Sequence, residues 1–169
     1  RDPLAIGAMG SIGGLASAAV TSAYGGVHLQ LLKPFGRLRV EGLVGVLFAR
    51  NTDRAYERLD VPLGLGLHYD FSDGPASFYL VGAASATYAR RSALGDVPGP
   101  QTETAWLLGG DGGIGLRGSG ERFSFYLDMR LGGAARVDGA PRVLLPTSDN
   151  ASADAIGRMF RVLFNLGFS

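Results

Sequence analysis

The sequence predicts an all-β chain closed into an eight-stranded antiparallel up-and-down barrel, and three observations predict it. Glycine makes up 27 of the 169 residues and is scattered through apolar stretches, which disfavours helix because each helical glycine costs about 1 kcal/mol relative to alanine. Apolar residues recur with a period of two in eight segments, the period of a strand with unlike faces. The connections between those segments alternate turn-forming tetrapeptides with longer runs, as a chain of hairpins requires.

The elements follow in order. The first strand is weakly patterned, from Leu4 to Ile12, and the second runs from Tyr24 to Leu32 with Val27, Leu29 and Leu31 on one face. In the third, Leu38, Val40, Val44, Val46 and Phe48 alternate with Arg37, Arg39, Glu41 and Gly45. The fourth sets Leu59, Val61, Leu63, Leu65, Leu67, Tyr69 and Phe71 against Asp60, Pro62, Gly64, Gly66, His68 and Asp70. The fifth spans Phe78 to Arg90, and the sixth spans Thr102 to Arg117 with Trp106, Leu108, Ile114 and Leu116 in phase. The seventh places Phe123, Phe125, Leu127, Met129 and Leu131 opposite Ser124, Tyr126, Asp128 and Arg130. The eighth alternates Ile156, Arg158, Phe160, Val162, Phe164, Leu166 and Phe168 with Gly157, Met159, Arg161, Leu163, Asn165 and Gly167. Each strand is expected to be roughly 9 to 14 residues long. Short turns are expected at Lys33-Pro34-Phe35-Gly36, Ser72-Asp73-Gly74-Pro75 and Gly118-Ser119-Gly120-Glu121. Longer connections are expected at Gly13 to Ala23, Asn51 to Tyr56, Arg91 to Gln101 and Val137 to Ala153.

Composition narrows the functional classes. The chain has no cysteine and carries 16 basic against 15 acidic residues, for a net charge of +1. Thiolate metal sites and a disulfide framework are excluded, and there is no general electrostatic case for nucleic acid. Apolar stretches fall well short of the ~18 residues that a membrane-crossing helix needs. An even number of strands of about ten residues, with short and long connections in alternation, is what a transmembrane β-barrel requires. Residues 1–169 are then one transmembrane barrel domain, with both termini on the short-turn side. Aromatic residues fit two interfacial girdles: Phe35, Phe71, Phe78, Phe123 and Phe168 at the short-turn ends, and Phe48, Tyr88 and Trp106 near the long-loop ends. Val44, Leu63, Leu65, Leu127, Val162 and Phe164 are expected to face lipid. A soluble lipocalin-like carrier uses the same alternation with the apolar face inward. Charges of both signs mixed with glycine on the polar faces favour the lipid-facing arrangement.

The polar parity then lines the lumen. It gathers His28, Arg39, Glu41, His68 and Asp70 on the second to fourth strands and Asp111, Asp128, Arg130 and Arg161 on the sixth to eighth. Eight strands leave an interior just wide enough for side chains, so these residues are expected to form a salt-bridged polar core. Lys33 is the single lysine among the basic residues, and arginine suits bidentate pairing with carboxylates. Inward glycines, among them Gly26, Gly45, Gly64, Gly66, Gly109, Gly113 and Gly115, either let large side chains pack across the lumen or leave a small water-filled cavity. The second outcome would make the protein a narrow channel or small-ligand container.

The chain resembles the small eight-stranded outer-membrane barrel proteins of Gram-negative bacteria, the OmpA/OmpX type. In that family the closing strand ends in an aromatic residue and is read by the outer-membrane assembly machinery as an insertion signal. The resemblance places that signal on Phe160, Phe164 and Phe168, with Ser169 as a departure after the aromatic. It implies location in the bacterial outer membrane, contact with outer-membrane lipid and lipopolysaccharide, and a non-enzymatic structural or surface-interaction role, or a place beside an envelope protein partner. Lipid-modifying enzymes also exist on such scaffolds. Here a cross-strand triad such as Ser85, His68 and Asp70 can be drawn but is split by strand height, and His28 has no serine or threonine two residues away. No catalytic residue, metal site or cofactor is expected. Gly113-Ile114-Gly115-Leu116-Arg117-Gly118 matches a dinucleotide-binding pattern but leads into a turn and a strand instead of the helix such a site needs. At the long-loop end, Asn51-Thr52-Asp53-Arg54, Arg90-Arg91 and Arg136 to Arg142 are read as loops exposing arginines that could meet lipopolysaccharide phosphates.

Overall fold

The computed structural model describes residues 4–17, 20–51, 56–94, 101–120, 123–139, 145–146, 152–153 and 156–169. Among them, eight long strands close a barrel in which each pairs antiparallel with its sequence neighbours. These are β1 (Ala5–Ser17), β2 (Val20–Phe35), β3 (Leu38–Asn51), β4 (Tyr56–Asp70), β5 (Ala76–Ala93), β6 (Thr102–Ser119), β7 (Ser124–Arg136) and β10 (Arg158–Phe168). Strand β10 also pairs with β1, from Ala8↔Phe168 to Ser17↔Met159, and shuts the sheet. Between β7 and β10 lies a two-residue ribbon, β8 (Leu145–Pro146) against β9 (Ser152–Ala153). Closure leaves no strand edge unpaired, which is the condition for strands to cross a bilayer.

Several strands run longer than the hydrophobic alternation indicates. The expected loop from Gly13 to Ala23 is mostly strand, since β1 and β2 pair as far as Ser17↔Val20. Its small residues read as a loop, yet Gly13 serves close passage between strands: a Cβ there would collide with the Val162 carbonyl of β10. Strand β5 likewise extends to Ala93, and β6, which starts at Thr102 as expected, runs on to Ser119, because the ladder continues where the apolar pattern has ended. The first short turn sits at Gly36-Arg37, between the paired Phe35 and Leu38. Gly36 has φ 64° there, a left-handed value that glycine takes without steric cost. In β4, Pro62 has no N–H to donate, and the ladder to β3 skips from Val44↔Leu63 to Leu47↔Asp60.

The apolar parity faces out, which rules out the lipocalin-like arrangement of this wall. Ile6 and Ile12 on β1, Leu29 on β2, Leu63 and Leu65 on β4, Ile114 on β6 and Leu166 on β10 are all exposed, Leu65 at 70%. Water would penalise each such surface by about 25 cal/mol per Å² relative to an apolar surrounding, so this exterior suits lipid. Val44, Leu127 and Phe164 are exposed as expected, and Val162 is half-covered. Ile156 departs from its expected outward parity. It is buried before β10 begins, in an apolar layer with Leu15, Tyr24, Leu47, Leu107, Met159 and Leu163. The lumen is therefore not charged throughout but carries an apolar layer that the polar-parity reading omitted.

Candidate functional site

The lumen is built from inward side chains of all eight barrel strands, and Arg130 of β7 organises its centre. Its guanidinium reaches across to Glu41 of β3 through two parallel bonds, Nη1 donating to Oε2 at 3.0 Å and Nη2 to Oε1 at 3.1 Å. Its Nε and Nη2 also donate to Asp128 on its own strand, at 3.1–3.3 Å. The period of two places both residues inside. All three side chains are 3% exposed or less, so the low surrounding dielectric strengthens the pairing and raises the cost of breaking it.

Neutral donors complete the network. Tyr79 Oη donates to Asp128 Oδ2 at 2.9 Å, and Asn165 Nδ2 donates to Asp128 Oδ1 at 2.5 Å. Ser11 Oγ donates to Asn165 Oδ1 at 2.6 Å and lies 3.0 Å from His28 Nδ1. Gln30 donates to Glu41, while His68 Nε2 stands 3.2 Å from Glu41 Oε2 with its ring stacked on Tyr79. Arg161 Nη2 donates to Asp111 Oδ2 at 2.8 Å, and Asp111 also lies 3.9 Å from Arg130. Toward the short turns, Arg39 and Arg117 share Asp70, at 2.7 and 3.3 Å. The structure thus brings Glu41, His68, Asp111, Asp128, Arg130 and Arg161 into one cluster with His28 at its edge, and holds Arg39 and Asp70 in a separate group nearer the mouth.

Two further groups escaped the sequence reading. Tyr24 Oη donates to Asp60 Oδ2 at 2.6 Å, beside an Arg58–Asp60 pair at 2.8 Å. Nearer the long-loop rim, Glu103 accepts from Arg91 at 3.0 Å, from Arg136 at 2.8 Å and from the Ile156 backbone N–H at 2.9 Å. The parity of the second and fourth strands already turns Tyr24 and Asp60 inward, that of the sixth turns Glu103 inward, and extending it past the apolar segments would have found Arg58, Arg91 and Arg136. Arg91 is accordingly a buried and Arg136 a half-buried, paired strand residue, and neither is the exposed loop cation expected, whereas Arg90, on the opposite parity, is exposed. Residues Thr52, Asp53, Arg54 and Arg142 lie outside the described residues.

Arg136 also donates through Nε to Asp138 Oδ1 at 2.5 Å, and the Trp106 backbone N–H donates to Asp138 Oδ2 at 2.7 Å. The Arg136 bond holds the Asp138 carboxyl below its ordinary value of 3.8. A depressed carboxyl stabilises the folded state above the unfolded value, and the contribution is lost as pH falls through the folded value. Fluorescence of Trp106 is therefore expected to report loosening of this rim only below pH 3.8, and Asp138→Asn should abolish the transition.

Glycines make room for the large lumen residues. A Cβ on Gly45 would overlap the His28 ring, and one on Gly115 would overlap the Tyr79 ring and lie 2.7 Å from the Asp128 Cβ. The remaining free space among Gln30, His68, Tyr79 and Arg117 is about 10 Å³, at most one water's worth. Gly115→Ala is expected to cost about 1–3 kcal/mol by overpacking, measured by unfolding in detergent. A neutral result would mean that the lumen has slack.

Ser85, His68 and Asp70 are not brought together. Ser85 meets Arg161 at 3.5 Å, His68 meets Glu41, and Asp70 meets the two arginines at the mouth. Among the described residues, no three histidine or carboxylate groups converge as a metal site would need. The dinucleotide-like glycines, Gly113 to Gly118, lie within strand β6.

The aromatic residues expected at the girdles lie at the strand ends. Phe35, Phe71, Phe78, Phe123 and Phe168 are exposed toward the short turns, and Phe48 and Trp106 toward the other end. Tyr88 is half-covered and packs edge-to-face on Trp106, with ring centroids 5.5 Å apart. Phe160, Phe164 and Phe168 all point outward on the closing strand.

No family model and no curated protein matches the chain. Solved structures do match in fold. Neisserial surface protein A superposes with a TM-score of 0.58 at 15% identity, covering 98% of each chain. The N-terminal β-barrel domain of Pseudomonas aeruginosa OprF gives 0.49 at 11% identity, covering 96% of each.

Proposed function

We propose that this chain is an integral barrel of the bacterial outer membrane with a filled lumen, serving a non-enzymatic structural or surface-interaction role. The observation that carries the reading is the inversion of polarity: large apolar side chains stand exposed around the wall while Glu41, Asp128 and Arg130 are buried inside. The fold shared with Neisserial surface protein A is consistent with it. In this reading the two aromatic sets lie at the membrane–water boundaries, Phe160, Phe164 and Phe168 are presented to the assembly machinery, and lipid and lipopolysaccharide surround the wall. Function then falls to the long-loop end, since a filled lumen offers no passage.

Refolding with and without detergent tests it. Heat-modifiable gel migration and a strand-type circular dichroism spectrum are expected only with detergent. A monodisperse, strand-rich protein in plain buffer would overturn the reading. Planar bilayers containing the refolded barrel should show no discrete conductance steps. Regular steps would revive the channel alternative and place mobile groups around Arg130.

A further inference from the structure

A cleft on the outer face, at the long-loop ends of β3, β4 and β5, combines exposed arginines with an apolar edge. We infer that the cleft lined by Phe48, Arg50, Glu57, Leu59 and Arg90 binds the phosphorylated headgroup of an acylated lipid of the outer leaflet. The inference rests on the proposed outer-membrane placement, with the long loops outermost.

The first support is unpaired charge. Among the described residues, each lumen-facing arginine contacts a carboxylate. Arg50, Arg90 and Arg158 have no such contact there, and all three are exposed at the long-loop ends of their strands. Two of the three converge on this cleft. Arg50 stands opposite Glu57 across β3 and β4, and Arg90 stands opposite Leu59 across β4 and β5. A guanidinium binds phosphate through paired, charge-assisted hydrogen bonds.

The second support is shape and polarity. The cleft holds about 470 Å³, within the range of small-molecule sites. It opens just beyond the interruption that Pro62 makes in the β3–β4 ladder. Phe48 and Leu59 form its membrane-side edge, and Val61, Leu63 and Leu65 continue the apolar track down β4, where acyl chains would lie. On the neighbouring strands Tyr88, paired with Val61, packs against Trp106, as interfacial aromatics do beside the lipid boundary. A ligand with anionic head and several acyl chains matches this order. Glu57 offsets one of the two exposed arginines, Arg50 and Arg90, while Arg58 behind them is already paired with Asp60, so Glu57 limits affinity for phosphate.

Native mass spectrometry of the refolded barrel in detergent tests the site, with diphosphorylated lipid A and its dephosphorylated form as probes. The phosphorylated probe should bind better. The Arg50→Gln/Arg90→Gln pair should weaken its binding by roughly tenfold or more, Glu57→Gln should strengthen it, and Arg37→Gln at the opposite end should change nothing. Heat-modifiable migration of each variant verifies the barrel. A wild-type protein that forms no barrel in detergent overturns the membrane placement and the site with it. Intact barrels that bind both probes alike, or a double variant that binds as tightly as wild type, overturn the site alone and leave the cleft to a protein partner.

Discussion

Replacing Arg130 with methionine is expected to destabilise the inserted barrel by about 3–5 kcal/mol, the usual cost of removing one partner from a buried ion pair. Two carboxylates depend on this guanidinium: Glu41, held by two bonds, and Asp128, held by three. Neither is exposed to water, and no other arginine is bonded to Glu41 or Asp128 among the described residues. The variant therefore buries two uncompensated charges beside each other. Adding Glu41→Gln to Arg130→Met should recover part of the loss, because one of those charges disappears, and the double-mutant cycle measures the coupling. Asp128→Ala should cost less than Arg130→Met, since Arg130 keeps Glu41, although Tyr79 and Asn165 lose their acceptor. Urea unfolding from lipid vesicles gives each number. A cost below about 1 kcal/mol for Arg130→Met would show that the cluster only fills space.

Leu65→Arg is the second large effect, expected at about 2–4 kcal/mol for a charge at the bilayer midplane. Leu65 lies halfway between Leu59 and the Phe71 girdle position, points outward and is 70% exposed. Its cross-strand neighbours are small, Gly42 on β3 and Ala84 on β5, so no adjacent polar group can receive the guanidinium. The matching change at the lipid boundary, Leu59→Arg, should cost far less, because the penalty falls toward the interfaces. Equal costs at the two positions would mean that Leu65 is not at the membrane centre.

Much of this architecture is legible in residue order because a strand repeats every two residues. Along β4, Leu63, Leu65 and Leu67 declare one face while Asp60, His68 and Asp70 declare the other, and no distant contact is needed to read it. The same rule holds past the apolar segment, but there its signal fades. Arg91 looked like a loop residue because its outward neighbours, Arg90 and Ser92, are polar, and Arg136 because it lies five residues past Leu131, the last residue of the seventh apolar segment; Glu103 lay inside the expected sixth strand but had no partner to mark it. The small residues from Gly13 onward misled for a related reason: glycine marks turns in isolation, yet here it lets β1 pass close to β10.

The sequence by itself determined that this chain is an eight-stranded barrel and which side chains share a face, since both follow from local periodicity and turn chemistry. Only the tertiary structure decided the partners. Arg130 and Glu41 are 89 residues apart, and their meeting depends on closure of β10 against β1, which sets the width of the lumen and the rotation of each strand. The same closure turned Ile156 inward, whereas the separation of Ser85 from His68 follows from the β4–β5 register, which pairs Ser85 with Gly64. Pairing across a barrel is fixed by its curvature and strand stagger, quantities of the closed sheet that no single strand encodes.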